Sequence, residues 1–348
     1  MTITIDGREI GPDHPPYIIA ELSANHNGSL DRALQTIDEA HRCGASAVKL
    51  QTYTADTMTI DSDRPEFHLT EGPWAGYRLY DLYRWAQTPF EWHQAMFEHA
   101  RKLGMTVFST PFDESAVDLL EELDAPAYKI ASFEVTDLPL VEYIARTGKP
   151  IIMSTGMASE QEIEEAVSTI RAAGCKELVL LHCISSYPAP MDQANLAQLV
   201  ELGNRFDAIP GLSDHTLGTT ASVAAVALGA CLIEKHFTLS RADKGPDSDF
   251  SIEPDELERL CIDTKDAWLA IGHTGYERQQ AEKANRQFRR SIYFVKDLPK
   301  GATIKASDLR RIRPGSGLDP KHFKTLVGRK LKVSVSYGTP TSWEHFDE

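Results

Sequence analysis

Lys49 and Lys129 stand inside short apolar runs, SAVKLQT and PAYKIAS. A buried ammonium there costs several kcal/mol unless an anion or a carboxylate meets it. Two arrangements satisfy that demand: a buried Lys–Glu pair, or a cradle for phosphate and carboxylate in which each lysine is a point charge. Hydroxyls at Thr110, Ser132 and Ser154 favour the cradle, and a Schiff-base lysine is the rival chemistry. His215 in GLSDHTLG and His236 in EKHFTLS form a second pair, at the ends of the last two apolar runs. Their imidazoles can face one cation, with Glu21 and Asp247 available as oxygen donors. A nitrogen and oxygen set without thiolate suits Mn²⁺, Mg²⁺ or Zn²⁺. His26 and His182 read as packing or supporting residues.

Eight strand-like runs carry these side chains: YIIAELS, SAVKLQT, MTVFST, PAYKIAS, PIIMST, ELVLLHC, AIPGLSD and ACLIEKH. Between them lie helical periodicities, among them Leu30, Ala33, Leu34 and Ile37 after Ser29, and Ile163, Ala166, Val167 and Ile170 after Ser159, where Glu162 completes a capping box. The alternation spans residues 17–271, close to the ~250 residues of a (β/α)₈ TIM barrel. No GxGxxG turn follows the first strand, so an open doubly wound sheet fits less well. Chemistry in such a barrel sits where strands end. Every strand ends in polar residues: Glu21 and Ser23; Lys49 and Gln51; Ser109 and Thr110; Lys129, Ser132 and Glu134; Ser154 and Thr155; His182, Ser185 and Tyr187; Ser213, Asp214 and His215; Glu234 and His236.

Two departures from a minimal barrel stand out. The connection from Tyr53 to Thr88 far exceeds the ~2–6 residues usual for such loops, and its Trp74, Trp85 and tyrosines suit a cover over the active site. Residues 272–290 are polar and charge-mixed and read as a linker, which divides the chain into a catalytic barrel at 1–271 and a compact, mostly β domain at 291–348.

The 348 residues carry 36 Lys+Arg against 51 Asp+Glu, a net charge of −15 that speaks against nucleic-acid partners and basic membrane patches. No apolar run approaches the ~18–20 residues of a membrane span, and the opening MTITIDGREIGPDHPP lacks the order of a signal peptide. A cytoplasmic location is expected. Five scattered cysteines without CxxC spacing give no disulfide framework and no thiolate zinc site.

Taken together, AELSANHNGSL, SAVKLQTY, FSTPFDE, YKIASFE, STGMAS, GLSDHTLG and EKHFTLSRADKGPDSDFS resemble the sialic acid synthase family. RRIRPGSGLDP resembles its C-terminal antifreeze-like (SAF, β-clip) domain, and GPWAGYRLYDLY and TPFEWH look most like the pseudaminic branch. The resemblance implies condensation of phosphoenolpyruvate with an N-acetylated amino sugar to a nine-carbon 2-keto acid and phosphate. The acceptor would be 2,4-diacetamido-2,4,6-trideoxy-L-altrose, with neuraminate- or legionaminate-type acceptors as alternatives. By motif, Lys49, Thr110, Lys129, Ser132, Ser154, Ser185 and Ser213 would hold phosphoenolpyruvate. Glu21, Gln51, Tyr187 and Asp247 would face the sugar, and His215 and His236 would ligate a divalent ion, Mn²⁺ or Mg²⁺. Arg313 would reach in from the partner of a domain-swapped homodimer. Glu21 or Glu134 would be the general base. A pyruvate aldolase and a non-catalytic carbohydrate-binding protein are the competing readings.

Overall fold

The computed structural model describes residues 1–346. Two compact units divide the chain, one spanning Met1–Gly272 and the other starting at His273.

The first unit opens on a hairpin, β1 (Ile3–Ile5) and β2 (Arg8–Ile10). Its two-residue turn puts Asp6 at φ 50° and Gly7 at φ 75°. Asp-Gly favours that doubly left-handed turn, which matches the twist of the flanking strands. Eight parallel strands then close into a barrel: β3 (Tyr17–Glu21), β4 (Ala47–Thr52), β5 (Thr106–Pro111), β6 (Tyr128–Ile130), β7 (Ile151–Ser154), β8 (Leu178–Cys183), β9 (Ile209–Ser213) and β10 (Leu232–His236). Neighbours in sequence are neighbours in the barrel, and β10 returns to β3. The fold is a TIM-type (β/α)₈ barrel.

The helices begin where the caps say they should. Ser29 caps α1 (Leu30–Arg42) by accepting from the Arg32 N–H, and Ser159 and Glu162 form a reciprocal capping box at α7 (Glu160–Ala172). Between these come α2 (Ala55–Met58), α3 (Leu79–Ala86), α4 (Phe90–Lys102), α5 (Glu114–Glu122) and α6 (Leu138–Ala145); after them come α8 (Ala197–Phe206), α9 (Thr220–Ala227) and α10 (Pro254–Ile271). The buried faces of the helices pack on the outside of the barrel around residues such as Ile37, Phe97, Leu140 and Leu260.

Inside the barrel one apolar layer includes Ile19, Ala47, Phe108, Ala127, Ile152, Ile209 and Leu232, closed below by Ile3, Ile5 and Ile10 of the hairpin. Two residues further along the same strands stand Glu21, Lys49, Thr110, Lys129, Ser154 and Glu234. A strand has a side-chain period of two, so these face the same interior one layer higher. Below that step the interior is dry core; above it the barrel is a polar mouth.

The second unit packs Ile292, Phe294, Ile304, Leu309, Leu326, Leu331, Val335 and Phe346 into a small core. Its only regular sheet among the described residues pairs β11 (Ser291–Phe294) with β12 (Leu309–Ile312) antiparallel, and a short α11 (Phe323–Leu326) follows. Residues 273–290 are exposed and include two 3₁₀ turns, Gln280–Glu282 and Ala284–Phe288. No described helix is long and apolar enough to cross a membrane.

Candidate active site

Strand register brings three side chains into one row. His236 of β10 pairs with Glu21 of β3, and Glu21 pairs with Lys49 of β4. Lys49 Nζ lies 3.1 Å from Glu21 Oε2 and 3.2 Å from Glu234 Oε1, and donates to Thr110 Oγ1 at 3.1 Å. Lys129 Nζ stands 3.9 Å from the same Glu234 oxygen and donates to Ser154 Oγ at 2.7 Å. Ser213 Oγ donates to Glu234 Oε1 at 3.2 Å. Glu234 therefore joins the two lysines. Sequence analysis places it at a strand end but not in the site, although its position two residues before His236 was a signal.

The lysines thus meet carboxylates as well as hydroxyls, so the Lys–Glu pairing and the anion cradle are one arrangement. Burial opposes the ionised form of Glu234, but Lys129 and Lys49 outweigh it and hold this carboxyl below its ordinary range. Burial pushes Glu21 up to about 7 in spite of Lys49. Burial also brings Lys129 down to about 8. The cluster is two ammonium groups around one firmly ionised carboxylate, with Glu21 titrating near neutrality, and is suited to receive an anion.

Small hydroxyl residues complete the cradle. The Gly156 N–H donates to Ser132 Oγ at 3.0 Å, and Ser185 Oγ is buried without a partner. A side chain at Gly156 would collide with Ser185 Oγ and lie 2.9 Å from Ser132 Oγ. The glycine keeps this wall open.

Beside the cradle, the rings of His215 and His236 lie 5.6 Å apart, and the Tyr187 ring lies 4.2 Å from His215, tilted by 37°. His215 Nδ1 donates to the Ile184 carbonyl at 2.9 Å, which leaves Nε2 with its lone pair. His236 Nδ1 is buried without a partner. Burial, with His215 and Lys49 nearby, holds His236 well below its ordinary value, so its imidazole is neutral. Two free imidazole nitrogens at one mouth fit a divalent ion. The expected carboxylate donors do not join them: no group of three or more His, Cys, Asp or Glu side chains disposed to hold a metal occurs among the described residues. The reason is prior engagement. Glu21 Oε1 accepts from Gln51 Nε2 at 2.9 Å while Oε2 faces Lys49, and Asp247 Oδ2 accepts from Ser23 Oγ and from the Ala24 N–H. Water or substrate oxygens must fill the other positions.

A buried ion pair ties the loop that carries His215 to the strand that carries His236. Asp214 Oδ2 accepts from Lys235 Nζ at 2.9 Å and from Ser222 Oγ at 2.6 Å, while Oδ1 accepts from Thr216 N–H and Oγ1. Lys235 also donates to the Thr216 carbonyl at 2.7 Å. Sequence reasoning missed Lys235, which alternation turns outward between two inward residues.

A cavity of about 420 Å³ adjoins the mouth. Ser23, Gln51, Glu134, Tyr187, His236 and Asp247 line its barrel side. Trp74 reaches it from the long connection, fixed by donation from Nε1 to the Pro246 carbonyl at 2.9 Å. Glu134 Oε2 is buried with no partner, and burial raises this carboxyl to about 7. Arg313 belongs to the second unit, where it is exposed. His26 packs edge-on against Trp92, and His182 Nε2 is hydrogen-bonded to the Ala194 carbonyl at 2.8 Å, as supporting residues would be.

Comparison with known proteins agrees with this geometry. Residues 36–276 match the NeuB family and residues 289–347 the SAF domain. The pseudaminic acid synthase of Helicobacter pylori is 42% identical, covering 94% of this chain and 97% of its own length. The N,N′-diacetyllegionaminic acid synthase of Legionella pneumophila is 37% identical over 95% of this chain and 94% of its own. Among solved structures, the N-acetylneuraminic acid synthetase of Leptospira borgpetersenii superposes with a TM-score of 0.74 at 34% identity, covering 82% of this chain and 95% of that one. With a matched segment that takes in seven of the eight barrel strands and a relative aligned almost end to end, the chain belongs to the NeuB family.

Proposed function

We propose that the protein condenses phosphoenolpyruvate with 2,4-diacetamido-2,4,6-trideoxy-L-altrose, giving the nine-carbon 2-keto acid pseudaminic acid and phosphate. The observation that carries this reading is the meeting of Lys49, Lys129, His215 and His236 at one barrel mouth, with a sugar-sized cavity alongside. The acceptor is supported by 42% identity to a pseudaminic acid synthase.

Lys49 and Lys129, with Thr110, Ser132, Ser154, Ser185 and Ser213, hold the phosphate and carboxylate of the enol. Gln51, Tyr187 and Asp247 face the sugar, and Glu21 braces Lys49 and Gln51. Held this way, the enol methylene attacks the aldehyde carbon, the carbonyl π pair moves onto the aldehyde oxygen and takes up a proton to become the new hydroxyl, and the carbon that bears the phosphate is left electron-poor. Positioning of this kind can supply ~7–11 kcal/mol of the barrier. Water adds to that carbon, losing a proton to Glu134, and the carbon–oxygen bond to phosphate then breaks. Glu134 suits the base because its Oε2 is unengaged and lines the cavity, whereas both Glu21 oxygens are occupied. A divalent ion, Mn²⁺ or Mg²⁺, held by His215 and His236 would polarise the aldehyde oxygen as a Lewis acid.

The working form is a domain-swapped homodimer in the cytoplasm, with Arg313 of one copy completing the mouth of the other. Large apolar side chains in loops after four barrel strands support a covering partner: Ile60 after β4, Phe133 after β6, Met157 after β7 and Leu217 after β9 are 58–64% exposed.

Phosphate release measured with an acceptor panel tests the reading. Release should require both substrates, stop on chelation and return with Mn²⁺ or Mg²⁺, and be strongest with the trideoxy-altrose. Carbon–carbon bond formation that survives chelation and is trapped by borohydride would make the protein a Schiff-base aldolase instead. No release with any acceptor in the presence of metal would favour a carbohydrate-binding protein.

A further inference from the structure

The long connection between β4 and α4 is built with two unlike sides. Its charged residues turn outward and tie to one another: Arg78 pairs with Asp61 at 2.8 Å, with Asp63 at 3.0 Å and with Asp81 at 2.7 Å. Its other side presents Met58, Leu69, Leu79 and Leu82 to the acceptor cavity. Leu69 and Leu79 flank a small hairpin, in which the Leu69 N–H donates to the Tyr77 carbonyl at 2.9 Å and His68 bridges to Arg78. These four side chains carry no charge and no hydrogen-bond donor, and the Met58 thioether is their one weak acceptor. The charged groups of the cavity come instead from the barrel, with Ser23, Gln51, Glu134, His236 and Asp247 on that side, and the connection adds only the ring-borne polar atoms of Tyr53, Trp74 and Tyr83.

Resting on the proposed condensation, we propose that this wall reads the end of the acceptor remote from its aldehyde and selects a methyl group there over a hydroxymethyl group, with Leu69 and Leu79 as the specificity-determining residues. The aldehyde carbon must lie at the mouth, where the enol and the two imidazoles are. In an extended six-carbon aldehyde the carbon farthest from that point is C-6, and the cavity leads it to the connection. A methyl group there keeps its contacts and gains burial. A hydroxyl against Leu69 and Leu79 leaves water and finds no partner on either side chain. Discrimination of an added hydroxyl by an apolar pocket is limited to about a hundredfold, so a 10- to 100-fold preference is expected.

The test uses two acceptors that differ only at C-6, 2,4-diacetamido-2,4,6-trideoxy-L-altrose and its 6-hydroxy counterpart, with kcat/KM read by phosphate release. Wild-type protein should prefer the 6-deoxy sugar by about 10- to 100-fold. Leu69→Asn and Leu79→Asn, both at half-buried positions that tolerate a polar side chain, should each cut the preference several-fold and leave the KM for phosphoenolpyruvate unmoved. Equal rates for the two sugars in the wild type, or an unchanged preference in both variants, overturns the proposal. Turnover of neither sugar would instead overturn the condensation itself.

Discussion

Glu134 and Glu21 are both buried carboxyls raised to about 7, and each has an Oε2 without a hydrogen bond, but Glu21 Oε2 lies 3.1 Å from the Lys49 ammonium while Glu134 Oε2 has no ion-pair partner. Below that value Glu134 is protonated and cannot act as a base, so kcat should climb as pH passes about 7 and then level. The loss of charge on Lys129 near 8 should raise the KM for phosphoenolpyruvate, so that kcat/KM falls above that pH while kcat stays level. Glu134→Gln is expected to lose ~10²–10⁴ in kcat and to abolish the ascending limb. Glu21→Gln should keep that limb, and a pH profile of both variants checks the assignment. The shift also has a consequence for stability. Glu134 favours the folded state fully below its unfolded value near 4.5, and that contribution is lost as pH rises through about 7.

At the scale of strands and loops, the anion cradle depends on backbone as much as on side chains. Gly156 follows β7 and packs against Ser132 after β6 and Ser185 after β8. Gly156→Ala should overpack this junction, costing about 1–3 kcal/mol in stability. It should also raise the KM for phosphoenolpyruvate while that for the sugar stays near wild type, which thermal melts and two-substrate kinetics would show. The barrel strands and the α1 and α7 starts were readable because alternation and caps are local signals. The β1–β2 hairpin carries a local signal too, Asp-Gly between alternating apolar residues in ITIDGREI, but it is not among the expectations drawn from the sequence. It escapes notice because each strand is only three residues long.

On the scale of the whole molecule, the proposed sharing of a site between two copies makes a sharp prediction. Arg313→Ala and Lys129→Ala should each be inactive alone, since each damages every mouth. Mixed after verified subunit exchange, they form heterodimers in which one mouth carries both native residues, and about a quarter of wild-type activity should return if exchange is statistical and the mouths act independently. Complete failure of complementation would mean that Arg313 does not act in trans.

Sequence by itself determined the eight strands, the polar residue that ends each one, the two buried lysines and the two histidines, because a period of two and a charge inside an apolar run are both visible within a few residues. Only the tertiary structure decided what those groups do for one another. The compensation of Lys49 by Glu21 and Glu234, the pairing of Asp214 with Lys235, the unengaged oxygen of Glu134 and the apolar wall from the long connection all join distant parts of the chain. Closure of the barrel sets those distances, and no local pattern encodes which partner a buried charge will find.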